Sequence, residues 1–425
     1  MTLALFLAVL LGTMAIGVPI AFSLLLCGLA LMYQMDMFDS QIIAQNLLNG
    51  ADSFPLMAVP FFMLAGEIMN TGGLSKRIVN VAMAMVGHVK GGLGYVAILA
   101  SVILASLSGS AVADAAALSA LLVPMMTAAG HDKARSCGLV AAGGIIAPII
   151  PPSIGFIIFG VASGLSISKL FMAGIAPGVM MALALVATWW WSVRSENVTP
   201  PPRKSTREIV RTLIDGSWAL ALPGIIIFGL KFGIFTPTEA AVVAAVYSFI
   251  VAVFIYRELP LRNIFKVVTS AAQTTATVMF LVAAALVSAW MITVADLPGQ
   301  LTELLQPFLD SPMLLMGIIV LIVLAVGCAM DMTPIILILT PVFLPVVKEA
   351  GIDPIYFGVV FMMTLVLGLI TPPVGTVLNV VGGVGRISMG DLVKGVAPFL
   401  LAQMLLLLLF ILFPALIMVP AKFLS

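Results

Sequence analysis

The sequence predicts an all-α polytopic membrane protein built from two inverted repeats, each holding a re-entrant helical hairpin and a Pro-broken helix. Of its residues 62% are hydrophobic and 9% charged, where soluble domains carry about 25% charge. Apolar stretches of 18 or more residues recur along the whole length, and the long ones lack the period-2 alternation of a barrel strand, so the spans are helices. Residues 124–177 also match residues 345–398 at a constant shift of 221 positions. Pro124, Pro151, Pro152 and Pro177 meet Pro345, Pro372, Pro373 and Pro398, and Gly130, Gly164 and Gly174 meet Gly351, Gly385 and Gly395. Chance would supply about 0.2 proline pairs over that length, so the match is a duplicated structural unit.

Charge sets the orientation. Lys and Arg favour the cytoplasmic side, and they cluster at Lys76–Lys90, Lys133/Arg135, Arg194–Arg211 and Arg257–Lys266. The apolar run Leu93–Ala128 lies between the first two clusters. If it enters, turns at Ser108-Gly109-Ser110 and leaves, both clusters stay on one side, and its 36 residues allow two arms of about 15 residues. The equivalent run, Pro312–Val346, turns near Gly327–Asp331 and is flanked by Asp296, Glu303, Asp310, Glu349 and Asp353 against a lone Lys348. The two hairpins therefore enter from opposite faces, which makes the repeat inverted.

In chain order, Leu3–Tyr33 has no basic n-region and reads as membrane segment, either one span or two broken at Gly17-Val18-Pro19. Phe54–Met69 follows, then amphipathic Leu74–Val89 in the interface, the hairpin 93–128, the broken helix 134–165, and Leu170–Trp191. Trp189, Trp190 and Trp191, beside Arg194, read as interfacial anchors. Residues 1–193 form the first repeat, 194–216 a cytoplasmic linker rich in Pro and alternating charge, and 217–425 the second repeat. That repeat contains Trp218–Phe232, Glu239–Tyr256, Ala271–Met291, amphipathic Leu297–Leu309, the hairpin 312–346, the broken helix 355–385 and Ala397–Met418. The total is nine or ten spans besides the hairpins.

Non-helical backbone at membrane depth is tolerated only where protein or an aqueous cavity satisfies the freed groups. Two such places occur in each half. One is the hairpin tip, with Ser106, Ser108, Gly109 and Ser110 in the first half and Gly327, Ala329, Met330 and Asp331 in the second. The other is the proline pair, Ile150-Pro151-Pro152-Ser153 and Thr371-Pro372-Pro373-Val374-Gly375-Thr376. Each proline removes an amide donor and frees a carbonyl. Carbonyls and hydroxyls from a facing tip and break make an oxygen cage suited to Na+, two sites in all, while the half-helices after the prolines aim their amides at an anionic group. Ser153, Thr376 and Asn379 are the candidates to touch that substrate; the alternatives are plain kinks and close helix packing.

Asp114 and Asp331 either stand just behind the cation ligands or cap the following helices. Glu67 and Glu239 read as pairing with Lys in preference to relaying protons. His88 and His131 lie in loop clusters and suggest no proton pathway. Cys27, Cys137 and Cys328 lack metal-ligand spacing and read as small buried hydrophobes. A net charge of +1 leaves no footprint for nucleic acid. No metalloprotease, nucleophile-elbow or nucleotide-loop motif is present, so the chain is not read as an enzyme. The repeats point to a secondary carrier; a cation-conducting channel with re-entrant loops is the alternative.

Over essentially its whole length the chain resembles the large membrane subunit of tripartite ATP-independent periplasmic (TRAP) transporters. The likeness is carried by Ala51-Asp52-Ser53-Phe54-Pro55, Ala65-Gly66-Glu67-Ile68-Met69-Asn70, Ser106-Leu107-Ser108-Gly109-Ser110-Ala111-Val112-Ala113-Asp114, Pro148-Ile149-Ile150-Pro151-Pro152-Ser153, Phe235-Thr236-Pro237-Thr238-Glu239-Ala240 and Leu369-Ile370-Thr371-Pro372-Pro373-Val374-Gly375. The resemblance implies a bacterial inner-membrane location, a small four-helix membrane subunit and a periplasmic substrate-binding protein as partners, and sodium-driven uptake of an organic acid by an elevator movement. It also implies sodium ligands around Ser106–Ser110 with Ile150 and Pro151, and around Gly327–Asp331 with Gly368, Thr371 and Pro372. Members handling sugar acids, sialic acid or a keto-gulonate, are the nearest in kind, ahead of simple dicarboxylates; sialic acid is the first expectation, with a keto-gulonate or a C4-dicarboxylate as the alternative substrate.

Overall fold

A computed structural model of the chain describes residues 2–194, 196, 198 and 202–424, and all regular elements among them are helices. Ser195, Asn197, Thr199, Pro200 and Pro201 of the expected linker lie outside the described residues. The first segment is two helices, α1 (Thr2–Ala15) and α2 (Ile20–Gln34), because Gly17 takes φ +86° and Pro19 sits at the N-cap of α2. α3 (Ser40–Ala51) is not marked by any apolar run; Asp39 starts it by accepting from the Gln41 N–H. A 3-10 turn, Phe54–Met57, leads into α4 (Ala58–Thr71), and amphipathic α5 (Leu74–Val86) follows.

The first hairpin is α6 (Gly92–Ser108) and α7 (Ala111–Ala128). Its turn is made by Gly109 at φ +61° and by Ser110, whose hydroxyl accepts from the Ala113 N–H. α8 (Lys133–Gly144) and α9 (Ile154–Ser163) are the halves of the first broken helix, and α10 (Ile167–Val193) completes that repeat. The second begins with α11 (Thr206–Lys231), α12 (Pro237–Ile250), α13 (Leu261–Val294) and α14 (Leu297–Leu305). The second hairpin, α15 (Pro312–Gly327) and α16 (Met332–Glu349), precedes the second broken helix, α17 (Pro354–Gly368) and α18 (Thr376–Gly385), and then α19 (Met389–Leu412) and α20 (Ala415–Leu424). Among the described residues, eight helical stretches are long and apolar enough to cross a membrane. They include α7 and α16, so these arms, 18 residues each, run longer than the sequence led us to expect.

Three expectations are corrected. Residues 206–216 are helix, not linker, because Ser205 and Glu208 form a reciprocal capping box that starts α11 eleven residues early. The last span is interrupted: Phe413, held out of helical geometry before Pro414, ends α19, and α20 restarts at Ala415. Trp189 is no interfacial anchor. It is fully buried, donates from Nε1 to the Gly91 carbonyl at 2.8 Å and stacks on Phe399, whereas Trp190 and Trp191 are exposed and Arg194 covers the Trp190 ring.

The halves pack reciprocally. α2 lies on α13 as α12 lies on α4; α7 lies on α18 as α16 lies on α9. Each post-tip arm thus rests on the second half of the other repeat's broken helix. Lipid offers no hydrophobic drive for helices to associate, so close backbone approach through small residues carries the packing. A Cβ at Gly138 would lie 2.4 Å from the Gly395 carbonyl carbon, and one at Gly395 2.0 Å from the Ala134 oxygen, so α8 and α19 touch backbone to backbone. Between α9 and α17, Phe159 meets Phe357 and Phe361 at 6.2 and 5.8 Å between centroids, and such aromatic pairs contribute about 0.5–1.5 kcal/mol each.

The basic clusters gather at one end. Arg77 pairs with Glu258 at 2.6 Å and Asp215 at 3.2 Å; Lys90 donates to the Arg194 carbonyl; Arg135 and His131 both reach Glu196; Lys133 donates to the Arg386 carbonyl. That is the arrangement the positive-inside distribution calls for.

Gly138→Ala should lower the melting temperature in detergent by several degrees, reflecting about 1–3 kcal/mol of overpacking. Gly383→Ala, where a Cβ meets nothing within 4 Å, is expected to leave it unchanged. A single cysteine at Lys90 or Arg262 is expected to react with a membrane-impermeant maleimide only from the cytoplasmic side, and one at Asp310 only from the periplasmic side.

Candidate functional site

Both tips press into the breaks. At the first, a Cβ on Gly109 would lie 2.8 Å from the Pro152 carbonyl oxygen and 3.1 Å from the Ile154 nitrogen. At the second, a Cβ on Gly368 would lie 2.6 Å from the Gly327 carbonyl carbon, and the Gly375 N–H donates to the Cys328 carbonyl at 3.4 Å. Only glycine permits these approaches. Ser108, Gly109, Ser110, Pro151 and Pro152 therefore share one junction, and Gly327, Ala329, Met330, Asp331, Gly368, Thr371 and Pro372 surround the other. Both proline pairs contain a cis bond, Pro151-Pro152 and Pro372-Pro373.

The carbonyls freed by the second proline of each pair find different partners. In an unbroken helix Pro152 would bond to Pro148 and Pro373 to Leu369, positions equivalent under the shift of 221. The Ser153 hydroxyl donates to the Pro148 carbonyl at 2.5 Å and accepts from the Phe156 N–H at 3.1 Å. The Leu369 carbonyl instead accepts from the Val377 backbone N–H at 3.1 Å. Ser153 is fully buried, its hydroxyl engaged twice within the break. The Asn379 amide turns back to the Val374 carbonyl, and Ser106 and Thr371 donate to carbonyls of their own helices.

Two buried polar atoms near the junctions have no hydrogen-bond partner among the described residues: Asp114 Oδ2, and Thr376 Oγ1. The Ser108 hydroxyl donates to the other oxygen, Asp114 Oδ1, at 2.5 Å, and accepts from the Ser110 N–H. An orphan buried polar group costs about 1–3 kcal/mol, and each of these oxygens supplies one of the several ligands that a small hard cation takes. Asp114 is not a cap, since Ser110 fills that position, whereas Asp331 does occupy the N-cap of α16 without a side-chain bond.

The carboxylates expected to pair with Lys do not. Glu67 accepts from the Ser270 hydroxyl at 3.1 Å and forms no ion pair among the described residues. Glu239 closes a capping box with Thr236 at the start of α12. Each finds a hydroxyl near at hand, which spares the ordering of a long cationic side chain. Glu67 lines a cavity of about 170 Å³ with Phe62, Met63, Gly66, Asn70, Ser108, Ser110, Ala113, Ala271 and Thr274. Asn70 and Thr274 were not anticipated as site residues. The signal was present: Ser270, Gln273, Thr274, Thr275 and Thr277 form a polar run inside the apolar stretch Ala271–Met291 and its edge.

Over residues 7–416 the chain matches the family model described as tripartite ATP-independent periplasmic transporter, DctM component. It is 59% identical, over the full length of both chains, to the 2,3-diketo-L-gulonate TRAP transporter large permease protein of Escherichia coli. It is 37% identical to the sialic acid TRAP transporter large permease protein of Vibrio cholerae, covering 98% of this chain and 97% of that one. The C4-dicarboxylate TRAP transporter large permease protein of Pseudomonas aeruginosa is 36% identical, over 88% and 87%. Among solved structures, the YdaH transporter of Alcanivorax borkumensis shares the fold with a TM-score of 0.63 at 14% identity, covering 88% of this chain and 87% of that one. The chain is therefore no enzyme but a multi-pass inner-membrane protein, and it belongs to the TRAP transporter family as a large permease subunit.

Proposed function

We propose that this chain imports a sugar acid across the inner membrane in symport with Na+, handed its substrate by a periplasmic binding protein and working with a small membrane subunit. The observation that carries the reading is the duplicated junction of hairpin tip and helix break, each with a buried oxygen lacking a partner. Backbone oxygens at a break and hydroxyls at a tip suit a weakly hydrated cation, and the half-helices α9 and α18 begin there with amides free for an anion. Two cation sites, one per repeat, follow from the duplication. An elevator movement is supported by the grouping of the helices: hairpins and broken helices interlock, α2, α4, α12 and α13 pack among themselves, and the two groups meet where α13 lies on α16 and α4 on α6.

Identity over the full length with a diketo-gulonate permease is 59%, against 37% with a sialic acid permease. We therefore put a keto-gulonate ahead of sialic acid as the substrate, and a C4-dicarboxylate third. In proteoliposomes holding this chain and its small subunit, with the binding protein outside, labelled 2,3-diketo-L-gulonate should accumulate only under an inward sodium gradient. Accumulation of sialic acid alone would move the substrate and leave the mechanism. Sodium current without any substrate would replace the carrier by a channel. Ser108→Ala and Asp331→Ala should each raise the sodium concentration for half-maximal uptake about tenfold, as for loss of one charge-assisted contact. Unchanged sodium dependence in both removes these junctions as cation sites.

A further inference from the structure

We propose that Glu67, Asn70 and Thr274 form a subsite for the hydroxyl groups of a polyhydroxylated monocarboxylate and disfavour a second carboxylate there. The inference rests on the transport function proposed above and deepens it.

The cavity of about 170 Å³ lies between α4, α13 and the first tip. Whole-ligand pockets run about 300–1,000 Å³, so this one holds part of a small acid, not all of it. Its two sides differ. Ser108 and Ser110 approach from the tip; Glu67 and Asn70 from α4 and Thr274 from α13 approach from the opposite side. On α4, Met63, Gly66, Glu67 and Asn70 recur at helical spacing and so share one face. Gly66 keeps that face open, since a Cβ there would stand 3.8 Å from the Ser108 Cα.

The chemistry of the α4–α13 side selects hydroxyls. An ionised carboxylate only accepts, and Glu67 receives one protein hydrogen bond, from Ser270; a ligand hydroxyl can donate to what remains. The Thr274 hydroxyl spends its proton on the Ser270 carbonyl at 3.1 Å, which leaves its lone pairs to accept. Asn70 accepts from Ser75 through Oδ1 and keeps its amide to donate. Phe62, Met63, Ala113 and Ala271 supply apolar wall for a C–H face. A second carboxylate in this place would meet Glu67 at like charge. The neighbouring Gln273, Thr274 and Thr277 are exposed along a 34-residue apolar span, and polar groups at that depth face an aqueous path, not lipid.

The test is direct ligand binding to the purified chain with its small membrane subunit, without the binding protein, so that selectivity belongs to the permease alone. The probes are 2,3-diketo-L-gulonate and succinate, read by ligand-dependent thermal stabilisation. The unsubstituted protein is expected to bind diketo-gulonate more tightly. Glu67→Gln should weaken diketo-gulonate about tenfold, the loss of a hydrogen bond to a charged acceptor, and tighten succinate. Thr274→Ala should weaken diketo-gulonate about threefold and leave succinate where it was. Equal changes for both ligands, no change for either, or no diketo-gulonate binding at all would overturn the subsite. Sodium-driven uptake that persists beside such a result leaves the transport function standing; absence of uptake for every acid sinks that function instead.

Discussion

A membrane interior holds no water to satisfy a broken helix, and that single constraint organises the molecule. Pro151-Pro152 and Pro372-Pro373 strip amide donors from four backbone positions at membrane depth, leaving carbonyls that need partners. Those freed carbonyls are met inside the breaks, by the Ser153 hydroxyl and the Val377 N–H, and the hairpin tips pack onto the same non-helical backbone. Gly109 settles against the Pro152 carbonyl, and Gly327 against Gly368, at distances that any side chain would forbid. Hairpin and break are therefore one packed object, joined by backbone approaching backbone and, in the second half, by the Gly375 N–H on the Cys328 carbonyl. The reciprocal packing of α7 on α18 and α16 on α9 then ties the two objects into a single body.

Duplication did not keep the halves alike. The equivalent carbonyls of Pro148 and Leu369 are satisfied by a serine hydroxyl in one half and a backbone amide in the other. The region that forms one unbroken 34-residue helix, α13, in the second half is split into α3, a 3-10 turn and α4 in the first. α4 and α13 are thus counterparts that lie against each other, and the polar cavity opens between them at the first tip. Cation chemistry can be duplicated because each repeat carries a junction. On the function proposed above, the substrate subsite lies in the cavity between the counterpart helices α4 and α13, which the first tip meets.

The fold was legible because its determinants are local and chemically distinctive. Proline and glycine at fixed positions announced both breaks and the Ser108-Gly109-Ser110 turn; the structure turns the chain between Ser108 and Ala111 and leaves helix between Gly144 and Ile154 and between Gly368 and Thr376, the first break opening seven residues ahead of Pro151. Short polar helices such as α3 and the early start of α11 carried no apolar signal; their caps, Asp39 and the Ser205/Glu208 pair, were the readable evidence. Trp189 misled because sequence position beside Arg194 resembles an interface, while its true setting depends on Gly91 and Gly94, which let the indole come up against their backbone from about one hundred residues away. Glu67 misled for the same reason: its neighbours in the chain are apolar, and its partner Ser270 arrives from the other half. Charge partners across long sequence separations are set by tertiary packing, which no local pattern encodes.

On the transport reading, one hydroxyl joins the two kinds of site. Ser108 donates to Asp114 Oδ1, accepts from the Ser110 N–H, and also forms part of the cavity wall shared with Glu67. With Asp114 Oδ2 lacking a partner, the junction holds an unsatisfied acceptor worth about 1–3 kcal/mol. A cation that satisfies it stabilises the arrangement in which Ser108 and Ser110 face the substrate, and by linkage a substrate that holds those hydroxyls raises the affinity for the cation. Relief of one or two orphan oxygens corresponds to a coupling within the range of about 1–3 kcal/mol found between linked sites. Coupling of that size needs no long pathway here, since a single serine side chain spans the distance.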